Sequence, residues 1–275
     1  MVGGETMKVV VWNMRHRPEN WEALRVLQPD LALLCEASPA PDGIKAVARG
    51  ATTGRDGYLR PWSTAVISAY GVPERRARGR PWPREVLDAR ASRYGRPLKL
   101  PFVSSRPGSW TAARVWINGP EPVTAISLYG LMDEKSDGSV HRSLSELAPV
   151  FEDPKYNRLL LLAGDLNTWT GWRRGSHLDR DRCVLERIRA FGLIDCLERT
   201  WNPMRLDAKC PCIFGDQCRH SRTRVDPRWP HIPYQMDYLF ASRELAEGPL
   251  SCDVLNTEEW RIRSDHFPIV ADFAG

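Results

Sequence analysis

Apolar residues in this chain gather in short runs divided by polar and Pro/Gly-rich stretches, and two periods alternate along it. Runs at 9–12, 31–35, 64–69, 114–117, 123–128, 159–163, 236–242 and 269–273, several of them enriched in Val and Ile, predict strands. Helical spacing appears at 19–27, where Trp21, Leu24 and Leu27 recur between Pro18 and Pro29. It appears again at 141–151, with Leu144, Leu147, Val150 and Phe151 on one face, and at 183–191, with Val184, Ile188 and Phe191. Strands interleaved with few helices make this a mixed α and β chain. Segments 71–110 and 200–235 lack strong periodicity and read as long loops, each able to wall a cleft.

Polar residues stand where several strand-like runs end. Asn13 follows Val9-Val10-Val11-Trp12, and Glu36 follows Leu31-Ala32-Leu33-Leu34-Cys35. Gly164-Asp165-Leu166-Asn167 closes the run at 159–163, and Ser264-Asp265-His266 precedes the run at 269–273. Carboxylates, amides and an imidazole projecting from strand ends are the groups that metal-assisted hydrolysis of a phosphate ester needs. Asp165 and Asn167, two apart, would share one side of an extended strand end. The plain alternative is an Asp-Leu-Asn turn.

These fragments, with Ser127-Leu128-Tyr129-Gly130 and Met236-Asp237-Tyr238-Leu239-Phe240 between them, resemble the endonuclease/exonuclease/phosphatase superfamily, the DNase I-like hydrolases. The resemblance runs from residue 7 to residue 273 with the pieces in the family's order. Cys35 stands where many members carry Gln, and Tyr129 where the secreted DNases carry a catalytic His. The resemblance implies a four-layer α/β sandwich, two mixed sheets face to face with helices outside, formed by a single domain over 7–275. It implies that Glu36 is the principal ligand of Mg²⁺ or Mn²⁺, with Asn13 and Asp265 lining the same metal site. It also implies that Asp165, Asn167 and His266 act on the phosphate, that Asp237 holds His266, and that the Tyr129 phenol reaches the scissile phosphate. For Tyr129 a strand-end ring covering the core is the alternative. The reaction so implied is metal-dependent hydrolysis of a phosphodiester in DNA or RNA. The alternatives are a small phosphorylated molecule or phospholipid headgroup as substrate, and a catalytically silent binding protein of the same fold.

Composition narrows the setting. A chain of 275 residues is ample for a sizeable core, and no apolar run approaches the roughly 20 residues that span a bilayer. Residues 1–6 lack the basic-then-apolar pattern of a secretory signal and are expected to form a disordered tail. Seven cysteines, with Cys35 inside an apolar run, suggest reduced thiols and a soluble cytoplasmic protein. Net charge is +5, and residues 71–106 hold ten Arg/Lys against three Asp/Glu, so Arg75, Arg76, Arg78 and Arg80 are candidate phosphate contacts for a nucleic-acid partner. A solvated loop is the alternative. Trp110 and Trp169 could stack on a base, with core packing the safer default.

Cys210, Cys212, Cys218 and His220 lie within eleven residues and form a complete donor set for tetrahedral Zn²⁺, although one residue between the first two is tighter than usual. Surface thiols beside a His that contacts phosphate with Arg219, Arg222 and Arg224, or a disulfide, are the alternatives.

Overall fold

A computed structural model describes residues 6–42, 44, 46–53, 58–68, 84–87, 104–117, 120–132, 136–171, 176–202, 210, 212–248 and 250–274. Among the described residues twelve strands form two six-stranded sheets. The first sheet holds β1 (Met7–Asn13), β2 (Leu31–Ala37), β3 (Ala46–Thr53), β4 (Leu59–Ser68), β11 (Leu250–Val254) and β12 (Ile269–Phe273), in the order β11-β12-β1-β2-β4-β3. The second holds β5 (Arg84–Leu87), β6 (Trp110–Val115), β7 (Val123–Leu128), β8 (Leu160–Asp165), β9 (Ile194–Asp195) and β10 (Asp237–Ala241), in the order β5-β6-β7-β8-β10-β9. Parallel β1–β2 and β7–β8 pairs among antiparallel neighbours make both sheets mixed.

Side-chain parity explains why the central strands are apolar throughout rather than alternating. Successive side chains leave a strand on opposite faces, and here both faces are covered. Val9, Val11, Leu31 and Leu33 point inward and meet Ala125, Leu161, Ala163 and Leu239 of the facing sheet. Their neighbours Val10, Trp12, Ala32 and Leu34 point outward, under Trp21 and Leu24 of α1 (Asn20–Leu27) and Trp260 of α8 (Glu258–Arg261). On the far side Ile126, Leu160, Leu162 and Phe240 lie under Val140, Leu144 and Val150 of α2 (Ser136–Glu146) and α3 (Ala148–Glu152), and under Val184 and Ile188 of α5 (Ser176–Ala190). Helix, sheet, sheet, helix are the four layers expected. Each fully buried Leu in these layers contributes about 1.5–3 kcal/mol of hydrophobic stabilisation.

Several boundaries differ from the sequence reading. The helix expected over 141–151 begins earlier and divides at Leu147, because Pro149 lies in the first turn of α3 and has no N–H to continue the ladder of α2. The helix expected at 183–191 starts at Ser176. Helix α1 ends as expected, with Gln28 in the left-handed conformation (φ 48°) before Pro29. The segment expected as a loop over 71–110 contains β5, and β6 begins at Trp110 rather than at residue 114. Strands β3 and β11 were not foreseen because their polar positions interrupt the apolar pattern, and β9 because two residues carry no period. Residues 1–5, and Arg75, Arg76, Arg78 and Arg80, lie outside the described residues, so the expectations placed on them do too. Among the described residues no helix is long and apolar enough to cross a membrane.

The two sheets approach closely where β8 ends. Cys35 is wholly buried there; its thiol donates to the Leu128 carbonyl at 3.4 Å and accepts from the Asp165 N–H at 3.4 Å. Gly164, at φ 139°, lies against both: a Cβ on it would meet the Leu128 oxygen at 2.2 Å and the Cys35 sulfur at 2.9 Å. Only glycine satisfies both the backbone angle and the contact. A Gly164→Ala variant is expected to lose more than about 1 kcal/mol of unfolding free energy in urea titration. An unchanged midpoint would mean the sheets separate more easily here than their packing indicates.

Candidate active site

Inward parity carries three polar residues to the same end of the sandwich. Asn13 continues the inward face of β1, Asp165 that of β8 and Asp237 that of β10, and Asp165 and Asp237 are register partners across the β8–β10 ladder. All three are buried, Asp237 completely. The Asn13 amide donates to Asp165 Oδ2 at 2.9 Å and to Glu36 Oε1 at 3.2 Å, joining the two sheets through one side chain. Glu36 itself turns towards the mouth because β2 is irregular between Leu34 and Ala37 and Glu36 has left-handed backbone (φ 47°). Its Oε1 also accepts the Tyr129 hydroxyl at 2.8 Å, and His16 Nδ1 stands 3.3 Å from its Oε2.

His266 comes from the loop ahead of β12. Its main chain is fixed on both sides: Trp12 Nε1 donates to its carbonyl at 3.0 Å, and its N–H donates to the Ser264 hydroxyl at 3.1 Å. The Ser264 hydroxyl in turn donates to the Asn13 carbonyl at 3.0 Å. His266 Nδ1 lies 2.8 Å from Asp237 Oδ2, and Nε2 lies 3.7 Å from Asp165 Oδ2, an ion-pair separation rather than a hydrogen bond. Asp237 Oδ1 is buried without a hydrogen-bond partner among the described residues. Asp165, Asp237 and His266 offer ligand atoms within 4.8 Å of one another, so this buried acidic cluster could hold a metal ion.

Electrostatics follow from burial and pairing. Burial pushes the Asp165 carboxyl well above its ordinary value; the charge of His266 opposes that rise and that of Asp237 adds to it. His266 is pulled down by burial, but Asp237 and Asp165 more than reverse this and raise it to about 9. Burial raises Asp265 too, yet His266 and Arg15 bring it below its ordinary value. Burial, then the charge of Glu36, pushes the Tyr129 phenol far up, so it stays a donor.

The residues named from sequence fall into a connected set. Asn13, Glu36, Tyr129, Asp165 and Asn167 share hydrogen bonds, and Asp237 and His266 join them across the Asp165 contact. Asp165 and Asn167 do not lie along an extended strand. They form a turn in which Asn167, left-handed at φ 48°, donates its N–H to Asp165 Oδ1 at 2.9 Å and its amide to the Gly130 carbonyl at 2.8 Å. The turn and the site are thus the same feature. Asp265 pairs with Arg15 at 2.7 Å and with Arg224 at 3.5 Å, while Arg222 is half-buried in the next turn of chain. Trp110 and Trp169 are both buried, Trp110 against Glu146 and Trp169 against Tyr234, so neither is a stacking platform.

Sequence reading missed four contributors. Arg15 and His16, both left-handed, follow Asn13 directly, and His16 stacks on Trp62 at 4.9 Å between ring centres. Thr223 accepts the Met236 and Asp237 N–H groups at 2.9 and 3.0 Å and so sets the start of β10. Ser264 was visible within its tripeptide but carried no assigned role. Position after a strand-end Asn was the available signal for Arg15 and His16; none pointed to Thr223.

Solved structures share this fold across nearly the whole chain. An AP endonuclease from Archaeoglobus fulgidus superposes with a TM-score of 0.59 at 17% identity, covering 97% of this chain and 99% of that one. AP endonuclease LMAP from Leishmania major gives 0.63 at 12% identity, with 98% and 88% covered. The 3'-5' exonuclease from Neisseria meningitidis gives 0.57 at 18% identity, with 98% and 100% covered. The chain therefore has the endonuclease/exonuclease/phosphatase fold that its motifs resemble. No family model and no curated protein sequence matches it.

Because the folded pKa of His266, about 9, exceeds its ordinary 6.5, the stability it contributes is complete below 6.5 and lost as pH rises through about 9. Ring ¹⁵N shifts in the metal-free protein should show His266 doubly protonated at pH 7.5, with a midpoint near 9 that falls in Asp237→Asn. A midpoint at or below 6.5 in the unaltered protein would contradict the pairing.

Proposed function

We propose that this protein is a divalent-metal-dependent phosphodiester hydrolase acting on nucleic acid. The observation that carries the reading is the buried set Asp237–His266–Asp165 opening beside the Glu36 carboxylate. Supporting it, the solved structures that share the fold include endonucleases and a 3' phosphatase from Neisseria bound to product DNA hairpin.

The residues at the mouth fit a hard cation. Glu36 and Asp265 offer carboxylate oxygens with side chains 14% exposed, and the Asn13 amide lies between Glu36 and Asp165. Oxygen donors that leave room for water and phosphate suit Mg²⁺ or Mn²⁺. Arg15 and His16, each 46% exposed, sit against these carboxylates at the open side of the site. His266 Nδ1 is already engaged by Asp237, which makes Glu36 the better anchor for the ion. Bound there, the cation would polarise the phosphate and offset charge developing on it.

The chain's own residues do the rest. Asp165, with a carboxyl whose proton affinity burial has raised, takes the proton of the attacking water. His266, kept protonated by Asp237, donates from Nε2 to a phosphate oxygen as phosphorus becomes five-coordinate. Asn13 and Asn167 hold Asp165 in place and donate hydrogen bonds without adding charge. Tyr129 orients Glu36, and Arg224 with Arg15 supplies positive charge for the flanking phosphates.

Plasmid DNA, RNA, an inositol phosphate and a chromogenic phosphodiester, each with Mg²⁺ and with chelator, form the test. Metal-dependent cleavage of DNA or RNA is expected, falling by a factor on the order of 10²–10⁴ in Asp165→Asn and by at least as much in His266→Ala. Undiminished hydrolysis by the double variant would refute the mechanism, and turnover of the inositol phosphate alone would refute the substrate.

A further inference from the structure

A second cluster of ligand-type side chains lies in the segment after α6 (Cys196–Arg199) and shares no residue with the Asp165–Asp237–His266 cluster. Cys210, Cys212, Cys218 and His220 are all buried, and one ligand atom from each lies within 4.8 Å of the others. His220 Nδ1 stands 3.4 Å from Cys210 Sγ and 3.3 Å from Cys218 Sγ. In a tetrahedron with Zn–S near 2.3 Å and Zn–N near 2.0 Å, sulfur and nitrogen are separated by about 3.5 Å. The side chains thus already stand at the spacing of a ligand shell.

Three further features distinguish the cluster from chance packing. His220 Nε2 is 2.7 Å from the Thr170 hydroxyl, which fixes the ring so that Nδ1 faces the sulfurs, as an outer partner does for a metal-bound His. The cysteines are free thiols, gathered among the described residues with Phe214 as apolar neighbour, while Ile213 beside them is 54% exposed. Where the described residues around the thiols bury so little apolar surface, a bound metal supplies another source of order.

We propose that Cys210, Cys212, Cys218 and His220 form a structural zinc site that braces the loop bearing Thr223 and Arg224 against the His266 site. On binding, the three thiols lose their protons to solvent and, with a neutral imidazole, complete four-coordinate Zn²⁺; no position is left for substrate. The brace runs through short covalent spans. Thr170, which touches His220, is three residues beyond Asn167, and Thr223 is three residues beyond His220. Thr223 receives the Asp237 N–H through its hydroxyl and the Phe267 N–H through its carbonyl at 2.7 Å, so it contacts the backbone on both sides of the Asp237–His266 pair. The amides of Thr223 and Arg224 both donate to the Tyr234 carbonyl, closing the loop.

Zinc analysis and X-ray absorption on the full chain, purified without chelator, test the site without reference to catalysis. One zinc per chain is expected, with three sulfurs at about 2.3 Å and one nitrogen at about 2.0 Å. Glu36→Gln should keep that zinc, whereas the double variant Cys210→Ser, Cys218→Ser should lose it. If the double variant fails to fold, His220→Cys serves instead and should bind zinc through four sulfurs. Absence of zinc, a shell without sulfur, a Cys–Cys disulfide by intact mass, or zinc lost in Glu36→Gln would each overturn the site. Hydrogen exchange tests the brace: amides at 220–225 should exchange at least tenfold faster in the zinc-free variant, and unchanged protection would remove that half of the proposal.

Discussion

Two carboxylates and an imidazole sit together behind a wall of apolar side chains, where an unpaired charge would be very costly. The arrangement is tolerable because His266 shares the charge of both: 2.8 Å from Asp237 and 3.7 Å from Asp165. Remove the proton from His266 and two buried anions face each other across the β8–β10 ladder, where Asp165 and Asp237 are direct register partners. That electrostatic constraint keeps the imidazole protonated, while burial, opposed by His266 and aided by Asp237, leaves Asp165 with a raised proton affinity. It asks for a backbone rigid enough to keep the three groups from drifting apart.

The sandwich meets that requirement with strands buried on both faces. Asn13 crosses between the sheets to hold Asp165 and Glu36, while Trp12 and Ser264 pin the chain on either side of His266. Strain is concentrated at the same end. Of the described non-glycine residues with left-handed backbone, Arg15, His16, Glu36 and Asn167 border the site, and only Gln28 serves as an ordinary helix end. Such conformations cost free energy and persist where surrounding contacts over-determine them, a pattern concentrated at functional sites. Closing the sheets tightly enough leaves no room for a side chain at Gly164, which is why the motif opens with glycine.

How much of this was legible follows from which forces are local. Inner strands read as continuous apolar runs because both faces are covered, so β1, β2, β7, β8, β10 and β12 were found within about two residues of their ends. Edge strands β3 and β11 were missed because partial exposure admits polar residues that erase the period, and β9 because two residues carry none; β5, a further edge strand, was also missed. Glu36, Asp165 and His266 were legible as polar groups at the ends of apolar runs, and Asp237 only through the family resemblance. Their convergence was expected only through that resemblance, since register across β8–β10 and the Asn13 crossing arise from tertiary pairing. The turn at Asn167 shows a different limit: Asp and Asn signal turns and catalysis with the same letters, and here one geometry serves both. Likewise Cys210, Cys212, Cys218 and His220 advertised a ligand set, but only packing shows the four side chains facing one point.

The account rests on Asp237 and His266 acting as one unit. A double-mutant cycle on kcat/KM, comparing Asp237→Asn, His266→Ala and the pair, reads that directly. Once His266 is gone Asp237 has nothing left to hold, so the double variant should be no slower than His266→Ala alone to within about threefold. Losses that multiply would show two independent contributions and contradict the central claim.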